Sequence, residues 1–166
     1  AAEDFDFYVL ELSSFQLDGL VNFKVDISVL LNITSDHLDR YQYKFENYVN
    51  SKFRITNNQL KEDFFIYCKD DEAIVKALGN KKSEATQLPF SIKEEGCEGA
   101  YLNKKEEVVF NHINQQQPQT MSIHDLALNG KHNIYNSMAA GIASKVLDLR
   151  KEIVRESLTD FQNVAH

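Results

Sequence analysis

Ionisable side chains follow the ends of two apolar runs in the first quarter of the sequence. Glu11 comes at the end of one run, and Asp36 and His37 come shortly after the next. Because the carboxyl ends of parallel strands meet at one edge of an α/β sheet, we expect these side chains to lie near one another. Carboxylates at such an edge commonly hold magnesium near a nucleotide. The pattern therefore predicts a metal-binding crevice.

Each of these residues also has an ordinary structural interpretation. Glu11 could be a solvated strand end, and Ser35 with Asp36 could cap a short helix while His37 packs or faces water. Lys52 lies beside the apolar stripe of a predicted helix, where a lysine usually extends its ammonium group into solvent. Taken singly, none of them establishes a site.

Another polar group opens a predicted helix near the end of the sequence. The pair at 130–131 is Gly-Lys, but a phosphate loop also needs a glycine five residues before Gly130 and a Ser or Thr after the lysine. This chain has Asp125 at the first of these positions and His132 at the second. His132, Asn133 and Asn136 remain. Asparagine often caps helices, and two amides one turn apart could also read the edge of an adenine.

Alternating strands and helices are expected to position these residues. The predicted buried strands lie at 5–12, 26–33 and 63–68, and the helices at about 45–60, 73–78, 130–149 and 151–161. Short β-rich pieces between 88 and 128, with a loop at 115–119, predict an antiparallel excursion at the sheet edge. The expected fold is α/β: one domain over residues 1–166, with a mostly parallel sheet, crossover helices and this small excursion.

Composition limits the class of protein. The chain has 166 residues, of which 43% are hydrophobic, enough for one substantial core. Its formal net charge is -7, which argues against non-specific binding to nucleic acid or to an acidic membrane. No apolar run approaches the length of a membrane span, and the first residues do not resemble a signal peptide. Cys68 ends an apolar run and is expected to be a buried reduced thiol, which fits a cytoplasmic protein.

Four segments together resemble one enzyme family. They are Glu-Leu-Ser-Ser-Phe-Gln-Leu at 11–17, Asn-Ile-Thr-Ser-Asp-His-Leu-Asp-Arg-Tyr at 32–41, Ser-Lys-Phe-Arg-Ile at 51–55 and Gly-Lys-His-Asn-Ile-Tyr-Asn at 130–136. In this order and spacing they are similar to the central domain of the Mur ligases. Within that family they most resemble the ligases that add D-glutamate to UDP-N-acetylmuramoyl-L-alanine in the cytoplasmic stage of bacterial peptidoglycan synthesis.

The resemblance implies an ATP-dependent amide ligation. ATP would phosphorylate the alanyl carboxylate, and the D-glutamate amine would then attack the acyl phosphate. Glu11 and His37 would be magnesium ligands, and Lys52, carbamylated by carbon dioxide, would bind a second magnesium ion. Two cations would offset the charge that a phosphoryl transfer concentrates. Asp36 would orient His37 or a metal-bound water.

The same resemblance implies the remaining site residues. Ser13 and Gln16, with His37, would line the muramoyl-substrate side of the crevice. Asn133 and Asn136, with His132 beside them, would bind the adenine of ATP.

The chain also departs from the family pattern. The glycine-rich phosphate loop that would precede the first strand is not in the sequence, nor are the domains that would bind the uridine nucleotide and receive the amino acid. We therefore expect these 166 residues to be the interior of a longer polypeptide, to work with its remaining domains and to be inactive alone. A sister ligase or folylpolyglutamate synthetase with another acceptor, and a non-catalytic binding module, remain the alternatives.

Overall fold

The computed structural model describes residues 6–81, 83–111, 113, 117–127 and 130–160. Its helices are α1 (Ser14–Gly19), α2 (Phe45–Phe53), α3 (Glu72–Asn80), α4 (Lys131–Val146) and α5 (Lys151–Asp160). Short 3-10 turns lie at Leu38–Tyr41, Arg54–Thr56 and Ile123–Asp125. The strands are β1 (Ile27–Leu30), β2 (Phe64–Cys68), β3 (Thr86–Ser91), β4 (Ala100–Leu102), β5 (Glu107–Phe110) and β6 (Gln119–Ser122).

These strands form one sheet in the order β1-β2-β3-β4-β5-β6. The first four strands run parallel to one another, with Val29 opposite Ile66 and Ile66 opposite Leu88. The pairs β4–β5 and β5–β6 are antiparallel. The predicted α/β fold, with a mostly parallel sheet and a small antiparallel part, is therefore confirmed.

Helices cover both faces of the sheet because successive side chains of a strand point to opposite sides. Phe65 on β2 packs in one apolar cluster with Phe53 of α2 and Ile74 of α3. Its neighbour Ile66 packs in the other cluster, with Ile142 of α4. All five of these residues are almost fully buried. The sheet thus separates the α2 and α3 layer from the α4 layer.

The predicted strand at 5–12 is wrong for the residues that the structure describes. Residues 7–13 have no regular secondary structure, and Phe7, Val9 and Leu10 are 51%, 94% and 60% exposed. Residue 5 lies outside the described residues. The β preference of aromatic and branched residues reflects packing against neighbouring strands rather than a backbone preference. In the described sheet β1 is an edge strand that pairs only with β2, so these residues lack that packing.

The antiparallel part begins later than residue 88. β3 overlaps the start of the predicted excursion but pairs in parallel with β2, and β4 pairs in parallel with β3. The apolar residues of a strand indicate burial but not direction, because direction is decided by the partner strand. β6 also ends at Ser122, whose hydroxyl accepts a hydrogen bond from the backbone N–H of His124 and starts a 3-10 turn. Residues 115 and 116 of the predicted loop lie outside the described residues.

The helix predictions are confirmed, with adjusted ends. α2 stops at Phe53 rather than near residue 60 and continues as a 3-10 turn. α3 begins after Asp71, whose carboxylate accepts a hydrogen bond from the N–H of Ile74 at 2.9 Å. This contact is a regular N-cap. In the part of the chain that the structure covers, every helix is too short or too polar to cross a bilayer.

Both cysteines are buried and unpaired, as predicted for Cys68. Burial raises the pKa of the Cys68 thiol to about 11. Burial also raises the pKa of the Cys97 thiol. Because the thiolate is the reactive form, burial disfavours reaction at either sulfur.

A buried carboxylate fixes the turn before β2. Asp63 is almost fully buried and accepts hydrogen bonds from the Lys24 ammonium and from the backbone N–H of Leu60, both at 2.6 Å. Burial opposes the charged form, yet these two donors hold the pKa of Asp63 below its ordinary value. Because the pKa of Asp63 is lowered in the folded state, the free energy of unfolding depends on pH through this carboxylate.

We expect Asp63→Asn to destabilise the protein at neutral pH and to make its stability less sensitive to acid. A carboxyl group with a lowered folded-state pKa stabilises the fold above its unfolded pKa of about 3.8, and this contribution disappears as the pH falls through the folded value. Urea unfolding at pH 7, 5, 4 and 3 should show the difference from wild type shrinking below pH 4. Asp26→Asn is the matched control, because Asp26 lies 3.5 Å from the same Lys24 but is 95% exposed. A constant difference at every pH would contradict this account.

Candidate active site

A capping box builds the first wall of the candidate site. The Ser13 hydroxyl accepts a hydrogen bond from the backbone N–H of Gln16 at 3.3 Å, and the Gln16 side-chain oxygen accepts one from the Ser13 N–H at 2.8 Å. These reciprocal bonds start α1 directly after Glu11 and Leu12. The Ser-x-x-Gln spacing is a known capping signal. The sequence itself therefore indicates a structural role for both side chains, beside the substrate role implied by the resemblance.

One cavity of about 370 Å³ joins three distant parts of the sequence. It is lined by Glu11, Leu12, Ser13, Ser14, Phe15, Gln16, Asp36, His37, Tyr48 and Lys52. The structure therefore brings together the residues for which a metal or muramoyl-substrate role is predicted. Phe15 and Tyr48 complete the lining, and Tyr48 could have been found from its position one helical turn before Lys52.

His37 has an unusual backbone conformation. Its φ of 49° and ψ of 31° lie in the left-handed region, which non-glycine residues seldom adopt. Its N–H donates to a carboxylate oxygen of Asp36 at 2.8 Å, and its ring Nε2 lies 3.4 Å from the other oxygen. The ring also contacts Phe15, with centroids 5.4 Å apart. Such conformations are often found at functional sites, where the surroundings hold the side chain in place.

The expected cap at 35–36 is not formed. The 3-10 turn at Leu38–Tyr41 has His37 at its N-cap position, with no side-chain hydrogen bond to the turn. Asp36 instead bonds its own neighbour, His37. The Asp36 carboxylate therefore contacts the histidine rather than the turn, and the orienting role implied by the resemblance stays a prediction.

Lys52 lies on the cavity side of α2. Its side chain is half-buried, and its Nζ lies 5.7 Å from the ring centroid of Tyr48. Among the described residues the Lys52 side chain makes no hydrogen bond and no ion pair with an acidic group. The contact with the Tyr48 ring directs the amine along the cavity wall.

The lining suits a hard cation in the type of its donors. Glu11 and Asp36 offer carboxylate oxygens, which magnesium prefers, and His37 offers a ring nitrogen. Within the residues that the structure describes, no three His, Cys, Asp or Glu side chains are close enough to hold a metal ion together. The residues thus fit a magnesium site in kind and share one cavity, but they do not form a closed cage.

The predicted adenine-binding residues lie elsewhere. His132, Asn133 and Asn136 occupy the first turns of α4, on the opposite face of the sheet from α2, and they do not line the cavity around Lys52. His132 and Asn136 are exposed, and Asn133 is half-buried. Gly130, with a φ of 103°, takes the N-cap position, so neither asparagine caps the helix.

A half-buried acid ties the start of α4 to the sheet. Asp70, just after β2, accepts hydrogen bonds from the Tyr135 hydroxyl at 2.7 Å, the Ser91 hydroxyl at 2.6 Å and the Ile92 N–H at 2.9 Å. Burial opposes the charge of Asp70, but these donors hold its pKa below the ordinary value. Burial and the neighbouring carboxylate raise the pKa of Tyr135 far above its usual range. The contact is tertiary, and we had not predicted it from the sequence.

The fold and the cavity together define the class of protein. Open α/β proteins bind ligands beyond the carboxyl ends of parallel strands, and residues 36–37 reach the cavity from the carboxyl end of β1. Residues 1–144 match the family model described as the Mur ligase middle domain. The chain belongs to the Mur ligase family.

Curated relatives extend the similarity over the whole chain. The chain is 51% identical over 166 residues to a UDP-N-acetylmuramoylalanine--D-glutamate ligase of Christiangramia forsetii, covering 100% of the chain and 37% of that protein. It is 50% identical over 169 residues to the protein of the same name in Bacteroides fragilis, covering 100% of the chain and 36% of that protein. The chain thus spans a little over a third of the length of these relatives.

Solved structures share the fold. A UDP-N-acetylmuramoyl-L-alanyl-D-glutamate--2,6-diaminopimelate ligase matches with a TM-score of 0.68 and 23% identity, over 93% of this chain and 32% of that one. MurF from Acinetobacter baumannii matches with a TM-score of 0.61 and 19% identity, over 84% of this chain and 30% of that one. MurF from Thermotoga maritima, solved in complex with ADP, matches with a TM-score of 0.57 and 18% identity, over 85% of this chain and 31% of that one.

Proposed function

We propose that these residues are the central domain of a cytoplasmic, ATP-dependent ligase that joins D-glutamate to UDP-N-acetylmuramoyl-L-alanine. The observation that carries the proposal is the convergence of Glu11, His37 and Lys52 on one cavity, from three separate segments. The names of the relatives that match the chain along its whole length support the choice of substrates.

Glu11 and His37 are the proposed magnesium ligands. Bound magnesium ions would supply the positive charge that offsets the charge of the transferring phosphoryl group. Asp36 holds the His37 ring through its contact with Nε2 and holds the His37 backbone through the N–H bond. The imidazole is thereby oriented towards the cavity before a ligand arrives.

Lys52 is the proposed carbamate. Its neutral amine would form an N–C bond with carbon dioxide and release a proton, which converts a cationic side chain into an anionic oxygen donor. Such a donor would supplement the carboxylates of Glu11 and Asp36, which line the same cavity. The lack of an acidic partner within the described residues leaves the Lys52 amine available for this modification.

The muramoyl substrate and the nucleotide are proposed to contact different elements of the fold. Ser13 and Gln16, fixed by their capping box, would line the muramoyl side of the cavity. Asn133 and Asn136, with His132, would contact the adenine at the start of α4. The bond between Tyr135 and Asp70 supports this assignment, because it holds the first turn of α4 against the carboxyl ends of β2 and β3.

The isolated 166-residue chain is proposed to be inactive. Phe7, Val9 and Leu10 are more than half exposed just before Glu11, so the segment that carries this carboxylate lacks the packing of a buried strand. The remaining domains of the same polypeptide would supply that packing and the rest of the substrate contacts. ATP turnover by the purified chain that disappears in Glu11→Ala would contradict this proposal.

The test is phosphate release by the full-length protein with ATP, magnesium and UDP-N-acetylmuramoyl-L-alanine. D-Glutamate should support release, whereas L-lysine, diaminopimelate and L-alanine should not. Release with a different acceptor would identify a sister ligase. No release with any acceptor, together with unchanged behaviour of Glu11→Ala and His37→Ala, would favour a non-catalytic binding module.

A further inference from the structure

A second polar cavity lies on the other side of α2 from the candidate active site. Its volume is about 490 Å³, and it is lined by Asp18, Arg40, Tyr41, Gln42, Asn47, Asn50, Ser51, Arg54, Asn57 and Lys81. It shares no lining residue with the cavity around Lys52. The stacked rings of Phe15 and Tyr41, with centroids 6.0 Å apart, lie between the two cavities. We call the second one the basic cavity.

Three cations of the basic cavity are held by contacts that leave their charge uncompensated. Arg40 lies over the Phe15 ring, 4.4 Å from its centroid, and Lys81 lies 5.5 Å from the centroid of Phe53. Arg54 donates to two backbone carbonyl oxygens of α1 and its C-cap. Among the described residues, none of the three forms an ion pair. Contacts with rings and carbonyls fix the position of a cation without neutralising it.

The single acidic residue in the lining does not balance this charge. The Asp18 carboxylate accepts a hydrogen bond from the buried Tyr41 hydroxyl at 3.0 Å. Burial lowers the pKa of Lys81, because removal from water disfavours its ammonium form. In a chain with a formal net charge of -7, a cavity with three cations and one acid is an unusual concentration of positive charge.

We propose that the basic cavity binds a small molecule that carries a phosphate or diphosphate group. Such a group has at least two negative charges and several oxygens, so it can engage two guanidinium groups and one ammonium at once. A single carboxylate has one charge and two oxygens, so it would leave at least one of the three cations without an anionic partner. The side-chain amides of Asn50 and Asn57 add donors and acceptors for the uncharged part of the ligand.

Pyrophosphate is the probe for the test, titrated calorimetrically into the full-length protein without magnesium. We expect binding that weakens roughly tenfold to a hundredfold in Arg40→Ala and in Lys81→Ala, because each substitution removes a charge-assisted hydrogen bond. Lys76→Ala is the charge-matched control, since Lys76 is an exposed lysine of α3 outside the basic cavity. Arg40→Lys should recover part of the affinity by restoring the charge.

Substitution of Glu11 separates this cavity from the candidate active site. Pyrophosphate binding through the basic cavity should persist in Glu11→Ala. Binding that survives Arg40→Ala and Lys81→Ala but changes in Glu11→Ala would place the anion in the candidate active site and overturn the proposal. No binding, or equal weakening by Lys76→Ala, would also overturn it. Citrate binding as tight as that of pyrophosphate would contradict the preference for phosphate.

Discussion

Lys52→Ala in the full-length protein should lower kcat for D-glutamate-dependent phosphate release by at least roughly 100-fold. This magnitude is typical for removal of one group that stabilises transition-state charge. Lys52 is half-buried and makes only a ring contact with Tyr48 among the described residues, so its truncation should leave the fold intact. Initial rates at saturating ATP, with thermal unfolding as a check on folding, measure the effect.

Two further variants separate the carbamate from a simple cation. Lys52→Arg keeps a positive charge but cannot form the carbamate, so it should be as inactive as Lys52→Ala. Wild-type activity should fall when carbon dioxide is removed from the buffers and return with added bicarbonate. Lys44→Ala is the control, because Lys44 precedes the same helix, is exposed and makes no side-chain capping bond. Substantial activity in Lys52→Arg would show that Lys52 acts as a cation.

Local patterns in the sequence were enough to predict α2, α3, α4 and α5 and the strands β1 and β2, but they did not predict α1 at the candidate site. Helix patterns depend on neighbours within one or two turns, which a sequence shows directly. The link between Glu11, His37 and Lys52 followed from motif resemblance together with the rule that strand ends converge. All three residues line one cavity, although Glu11 follows a segment without regular secondary structure rather than a strand, and their roles stay predictions.

Tertiary contacts explain what the sequence could not show. The apolar residues at 7–10 indicated a strand, but a strand needs a partner, and in the described sheet β1 pairs only with β2. The parallel direction of β3 likewise depends on its neighbour. The hydrogen bond between Tyr135 and Asp70 joins residues 65 positions apart, and the sequence around either residue does not indicate it.

Two helical glycines should respond in opposite directions to substitution by alanine. Gly141 lies in the middle of α4, and a Cβ there would overlap the ring of Phe110, which is itself buried in β5. Relief would require movement of α4 away from the sheet, so Gly141→Ala should destabilise the protein by about 1–3 kcal/mol, as overpacked cores do. For a chain of this length, that change corresponds to a drop in Tm of roughly 3–10 °C.

Gly79 provides the matched comparison, because it also lies in a helix, in α3, but no described atom outside its chain neighbours and its own helix backbone lies within 4 Å of a Cβ at that position. Gly79→Ala therefore gains helix propensity without a clash and should stabilise the protein by up to about 1 kcal/mol. Thermal and urea unfolding of both variants test the pair. If Gly141→Ala were as stable as wild type, the packing of α4 against β5 would have to be looser than described. If Gly79→Ala were destabilising, the open space around Gly79 would have to be filled by another part of the protein.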